Sequence, residues 1–95
     1  QFDKASGTWE ESARLAEESG ANDTAANVWN NLGVLYHRRN NVPKARLSYE
    51  RALRLAQKSG ERLMVGMFMA NLAELIEDRG GWEEALRILE DAGHK

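Results

Sequence analysis

The chain of 95 residues contains no cysteine. That absence excludes a disulfide scaffold, a zinc ribbon and a cysteine nucleophile, and it sits easily with a reducing, cytoplasmic setting. There is a single proline, with few isoleucines and threonines. Such a composition disfavours turn-rich β architecture and suits helices built from Ala, Leu, Glu and Arg. Excess positive charge is also lacking: 13 Lys and Arg stand against 15 Asp and Glu, a net charge of −2. A chain with that balance has no broad footprint for a phosphate backbone, so nucleic acid is not the expected partner. Long hydrophobic runs are missing as well. The longest, Leu63 to Ala70, falls far short of the ~20 residues that span a bilayer, so no membrane partner is expected. No basic-then-apolar leader is read at Gln1. The length fits one domain, or a piece of one, around a single modest core.

What the chain does have is a repeat. Shifted by forty residues against itself, residues 1–55 match 41–95 at 15 positions without a gap. Arg14-Leu15-Ala16 lies on Arg54-Leu55-Ala56, and Ser19-Gly20 on Ser59-Gly60. Asn31-Leu32 lies on Asn71-Leu72, and Glu10, Glu50 and Glu90 form a series of three. Each repeat reads as two helices. In 21–60, Val28, Trp29, Leu32, Leu35 and Tyr36 recur at spacings of three and four, as one stripe of a first (A) helix. Asn40-Asn41 breaks the pattern and Pro43 opens the next turn, where its missing N–H costs nothing. Ala45, Tyr49, Ala52, Leu53 and Ala56 line the second (B) helix, which Ser59-Gly60 stops. The small residues Gly33 and Ala73, and the series Ala5, Ala45 and Ala85, hold fixed register and allow helices to approach closely.

The expected organisation is therefore a B helix in 1–20, a complete repeat in 21–60 and a third repeat in 61–95. Five antiparallel helices follow, at about 2–19, 23–39, 42–59, 62–79 and 82–92. Asn22-Asp23-Thr24 supplies N-cap candidates, a reading preferred to the glycosylation acceptor it also spells. Thr8 and Glu11 fit a capping box, but the register puts both inside a helix. Trp9, Trp29 and Trp82 fall on core positions rather than on a stacking platform for single strands.

Trp29, Leu32, Gly33, Tyr36, Ala45, Tyr49 and Ala52 stand at the spacings W-x2-L-G-x2-Y-x8-A-x3-F/Y-x2-A. The chain thereby resembles the tetratricopeptide repeat family, in a forty-residue variant similar to the repeats of kinesin light chains, spindle-orientation adaptors and bacterial peptide-sensing regulators. The third repeat departs in having Met69 and Ala73 where the motif has Trp and Gly, and keeps Leu72, Ile76, Ala85, Leu89 and Ala92. The resemblance implies an all-α solenoid, a right-handed superhelix whose A helices line a concave groove for an extended peptide or a partner helix.

On that resemblance, Asn31 and Asn71 are equivalent groove positions, placed to form an asparagine ladder against a peptide backbone. Asn27, Asn30, Val34, His37 and Arg38 join them from one repeat, and Met67, Ala70, Glu74, Glu77 and Asp78 from the next. A carboxylate clamp is not expected, because Asn30, Val34, Met67 and Asn71 stand where it needs Lys and Arg. His37 reads as a solvated imidazole without metal-ligand company. Gly80-Gly81 is no phosphate loop, since no Lys-Ser/Thr follows. No nucleophile–base pair or acid–base dyad is legible. The expected function is a non-enzymatic scaffold for protein or peptide partners, without metal or cofactor, as a fragment of a longer repeat protein. The alternative is a sensory arm of a larger bacterial ATPase or transcription regulator responding to a peptide or small ligand. Trp9, Leu75, Leu86 and Leu89 lack neighbouring repeats to cover them, so a homodimer or end-to-end association of the fragment is expected at high concentration.

Overall fold

The computed structural model describes residues 2–78 together with Glu84, Arg87, Ile88 and Glu90. Four helices are present among them: α1 (Phe2–Glu18), α2 (Asn22–Arg38), α3 (Val42–Ser59) and α4 (Arg62–Asp78). The forty-residue register predicts five. The fifth, at 82–92, lies outside the described residues apart from Glu84, Arg87, Ile88 and Glu90, which are helical. No strand occurs among the described residues.

The helix ends follow from turn chemistry that recurs every twenty residues. Gly20, Asn40 and Gly60 all take positive φ, at 84°, 61° and 72°. In each turn that residue donates its N–H three residues back, and its successor donates five back: Gly20 to Glu17 and Ala21 to Ala16, Asn40 to His37 and Asn41 to Tyr36, Gly60 to Gln57 and Glu61 to Ala56. This pair of bonds satisfies the last carbonyls of the helix and reverses the chain. Glycine accepts the left-handed conformation freely, and asparagine is among the few other residues that do. Asn41 then caps α3 by accepting the Lys44 N–H, with Pro43 in the first turn. Helix α2 differs from the expectation. Its N-cap is Ala21, which makes no side-chain cap, and Asn22 is already helical. The Schellman-type turn fixes the helix start here, leaving Asp23 in the first turn with its carboxylate near the exposed N–H groups.

Short turns make sequential helices antiparallel neighbours, and two contacts show how the pairs stack. Asn71 on α4 donates to Asn30 on α2 at 2.8 Å. Arg51 on α3 pairs with Glu17 on α1 at 3.2 Å. The A helices α2 and α4 thus share one layer, and the B helices α1 and α3 the other. The thinnest dimension, 14 Å, is what two such layers give when their axes lie about 8–10 Å apart. Between the layers sit Trp29, Leu32, Tyr36, Tyr49, Phe68 and Leu72, with alanines 25, 26, 45, 52, 56 and 73 closing the gaps. Gly33 is required at its position. A Cβ there would stand 2.5 Å from two ring carbons of Tyr49.

Exposure departs from the expected open end at Leu75, and at Trp9 it follows the uncovered end rather than the core register. Leu75 is 1 % exposed, in the core rather than at an open end, because α4 turns it inward beside Phe68 and Leu72. Trp9 is 39 % exposed, whereas its register equivalent Tyr49 is 2 % exposed. Helix α2 covers Tyr49 through Gly33, and among the described residues no A helix occupies the corresponding place over Trp9. Trp82, Leu86 and Leu89 lie outside the described residues.

Candidate functional site

The A-helix layer carries the residues singled out for the groove. On α2, Asn27, Asn31 and Arg38 are exposed, while Asn30, Val34 and His37 are half-buried. On α4, Met67, Ala70, Glu74 and Glu77 are exposed and Asn71 is half-buried. Asp78 closes the helix. Val34 packs against the core, so it is a wall rather than a free contact. Met67 offers the largest apolar surface of the set, at 57 % exposure.

The two asparagines expected to act as equivalent rungs are not equivalent. Asn71 spends one amide hydrogen on the Asn30 carbonyl oxygen, leaving its own Oδ1 and the Asn30 amide hydrogens available. Asn31 lies on the other side of Asn30. It lines a half-open cleft of about 260 Å³ with Trp9, Ser12 and Val28, at the junction of α1 and α2. The structure therefore joins Asn30 and Asn71 into one polar pair and places Asn31 beside an exposed indole.

Arg38 and Glu74 come together around Tyr49. Burial pushes the Tyr49 hydroxyl up from the usual value near 10 to about 12; the Glu74 carboxylate adds to that rise and the Arg38 guanidinium opposes it. Opposite charges from α2 and α4 therefore face one buried phenol. Among the described residues there is no group of three His, Asp or Glu side chains that could hold a metal. Nor is any helix among them long and apolar enough to cross a membrane.

The opposite layer holds polar contacts that sequence reasoning passed over. The Trp29 Nε1–H donates to Glu17 at 2.6 Å, and the Tyr36 hydroxyl donates to Glu10 at 2.6 Å. Arg51 lies over the Trp29 ring at 4.8 Å while binding Glu17. Trp29 and Tyr36 are core residues with polar tips, and a buried tip needs a partner. The signal was available: Glu10 and Glu17 are seven residues apart, on one face of α1. Further along, Arg46 pairs with Glu84 at 2.6 Å and with Glu50 at 3.1 Å. The guanidinium holds the Glu84 carboxyl below its ordinary range.

With this geometry in hand, comparison with known proteins is informative. The family model described as tetratricopeptide repeat matches residues 1–58. No curated protein matches the chain. Among solved structures, the chain is similar to BtubC (BKLC) from P. vanneervenii, with a TM-score of 0.82 and 26 % identity. The likeness covers 98 % of this chain and 39 % of that one, so the chain spans well under half the length of its structural neighbour.

Proposed function

The chain belongs to the tetratricopeptide repeat family, and from that premise we propose that it is a non-enzymatic scaffold taking an extended peptide or partner helix across its A-helix layer. Tetratricopeptide repeats mediate protein–protein interactions; the finer reading concerns where and how. In this reading α2 and α4 line the concave side of a right-handed solenoid, and the domain is one stretch of a longer repeat protein. The partial coverage of the longer structural neighbour supports the last point.

The observation that carries the proposal is the Asn30–Asn71 pair, bonded across adjacent A helices at 2.8 Å. Each amide keeps unspent donors or acceptors, and an amide is matched to a peptide backbone, whose N–H and C=O it can read without reading side chains. Arg38 on one helix and Glu74 on the next give the face both signs of charge, and Met67 adds a flexible apolar contact.

Display selection of random peptides on the immobilised domain, followed by titration of a selected peptide, tests this. Asn71→Ala removes both the interhelix bond and a backbone reader, and Asn31→Ala removes the exposed amide. Each is expected to weaken binding by roughly 1 kcal/mol, about fivefold, with the fold intact by circular dichroism. Selected peptides bound equally well by Asn31→Ala, Asn71→Ala and Met67→Ala variants would place recognition elsewhere.

A further inference from the structure

The B-helix layer, facing away from that site, has its own opening. Between α1 and α3, over Trp29 and Tyr36, lies a cleft of about 270 Å³. Lys44, Leu47, Arg51 and Arg54 line it from α3. Their spacing of three, four and three residues makes them one stripe along the helix. From Lys44 to Arg54 the stripe runs about 15 Å at the helical rise. Arg14 lines the cleft from α1, at the register equivalent of Arg54.

The charges here divide into two kinds. Arg51 is committed to Glu17 and the Trp29 face, and the Lys44 ammonium sits over the Tyr36 ring at 5.4 Å. Glu10, the carboxylate in the lining, already accepts from Tyr36. Arg14 and Arg54 are exposed and have no ion-pair partner among the described residues. A chain of net charge −2 thus concentrates positive charge in one cleft. In the middle of the stripe Leu47 is 65 % exposed, an apolar side chain framed by cations.

We propose that this cleft docks an acidic amphipathic helix of a partner protein, which presents carboxylates to Arg14 and Arg54 and an apolar side chain to Leu47. Charge complementarity fixes the sign of the occupant. The length of the stripe, about three helical turns, fits a helix rather than a single small anion. Guanidinium groups bind planar carboxylates in bidentate fashion, and Leu47 contributes only to a ligand that has an apolar face. The proposal is independent of the A-helix site, since the two use opposite layers and share no residue.

The probe is a fluorescein-labelled synthetic peptide of about three turns with glutamates around one leucine, titrated by anisotropy against the whole chain. The expected affinity falls steeply with added salt. The double variant Arg14→Glu/Arg54→Glu lowers affinity about tenfold or more, as reversal of paired charges does. Leu47→Ser lowers it a few-fold, and Asn31→Ala leaves it unchanged. All these positions are exposed, so an unchanged circular dichroism spectrum separates lost binding from lost fold. Equal binding of a glutamine-substituted control peptide overturns the proposal, as does wild-type affinity in the charge-reversed variant. Full displacement by inorganic phosphate, where chloride of equal ionic strength has no effect, overturns it in favour of a simple anion site. Self-association abolished by the same reversal overturns it in favour of a second copy of the chain.

Discussion

Gly33→Ala tests the packing of the A helix on the B helix most directly. The added Cβ would stand 2.5 Å from Cδ1 and Cε1 of Tyr49 and 3.0 Å from Cγ. Favourable carbon–carbon contact lies near 3.5–4.0 Å, so the overlap is about 1 Å or more. The obstacle is a ring carbon, not the end of a flexible chain, and the ring is 2 % exposed within the core. It cannot swing into solvent without taking the core apart. Overpacking of this kind costs about 1–3 kcal/mol, and so direct a clash belongs at about 3. Alanine is a better helix former than glycine by about 1 kcal/mol, which offsets part of that. The net expectation is a loss of roughly 2 kcal/mol, or a fall in melting temperature of roughly 8–16 °C for a domain of this size. Gly66 provides the internal comparison. It too lies inside a helix, but nothing stands within 4 Å of a Cβ built there. Gly66→Ala should therefore show the propensity gain alone, about 1 kcal/mol and an upward shift of about 4–8 °C. The next repeat suggests a repair: where the first has Gly33 and Tyr49, the register there supplies Ala73 and Leu89. Gly33→Ala/Tyr49→Leu should recover much of the loss. Thermal melting followed by circular dichroism reads all three variants. A Gly33→Ala domain as stable as wild type would refute the packing argument.

Two further outcomes rest on other contacts. Glu17→Ala removes the acceptor of Trp29 and the partner of Arg51, with an expected loss of about 1.5–3 kcal/mol for a hydrogen bond to a charged group. Glu17→Gln keeps an acceptor for the indole and should cost only about 0.2–1 kcal/mol; urea unfolding that finds the two equal removes the indole bond from the account. Tyr49 makes stability alkali-sensitive. Its folded value is raised to about 12 from the ordinary 10, so the folded state favours the neutral phenol. The stabilising contribution is complete below pH 10 and is lost as pH rises from 10 through about 12. Melting temperature should fall across that window, less so in Tyr49→Phe; identical alkaline profiles would contradict it.

Much of the fold was legible because its punctuation is local. The left-handed residues at 20, 40 and 60 end α1, α2 and α3 by chemistry confined to a few neighbours, so expected and observed helix ends agree within a residue or so. The forty-residue register likewise overrode the capping-box reading of Thr8 and Glu11, both of which lie inside α1. Exposure was harder, because it depends on elements brought from elsewhere in the chain. Trp9 and Tyr49 share a register position, yet α2 closes over Tyr49 through Gly33 and leaves Trp9 at an open cleft. Leu75 was misjudged for the converse reason. Its position in the sequence suggested an open end, while its place on the α4 helix turned it into the core.

The candidate sites show the same division between what a repeat dictates and what its neighbours decide. Identical register gives Asn31 and Asn71 the same backbone position on successive A helices. It does not give them the same neighbours, because α4 has α2 beside it in the A layer, with Asn30 in reach, whereas among the described residues α2 has only α1 before it. Asn71 therefore finds an amide on the preceding helix, and Asn31 finds Trp9 and Ser12. The B helices diverge further, through charge. Helix α3 carries Lys44, Arg46, Arg51, Arg54 and Lys58 against Glu50, while α1 carries more carboxylates than cations. Alternating sign lets Arg51 reach back to Glu17 and Arg46 reach forward to Glu84, so adjacent B helices are stapled by unlike charges. Arg14 and Arg54 are the arginines of this pattern left over in the cleft once those pairs are made. A repeat sequence can thus preserve one fold in every copy and still build two chemically different faces, because the helix register recurs while the charges and amides around each recurring position differ from copy to copy.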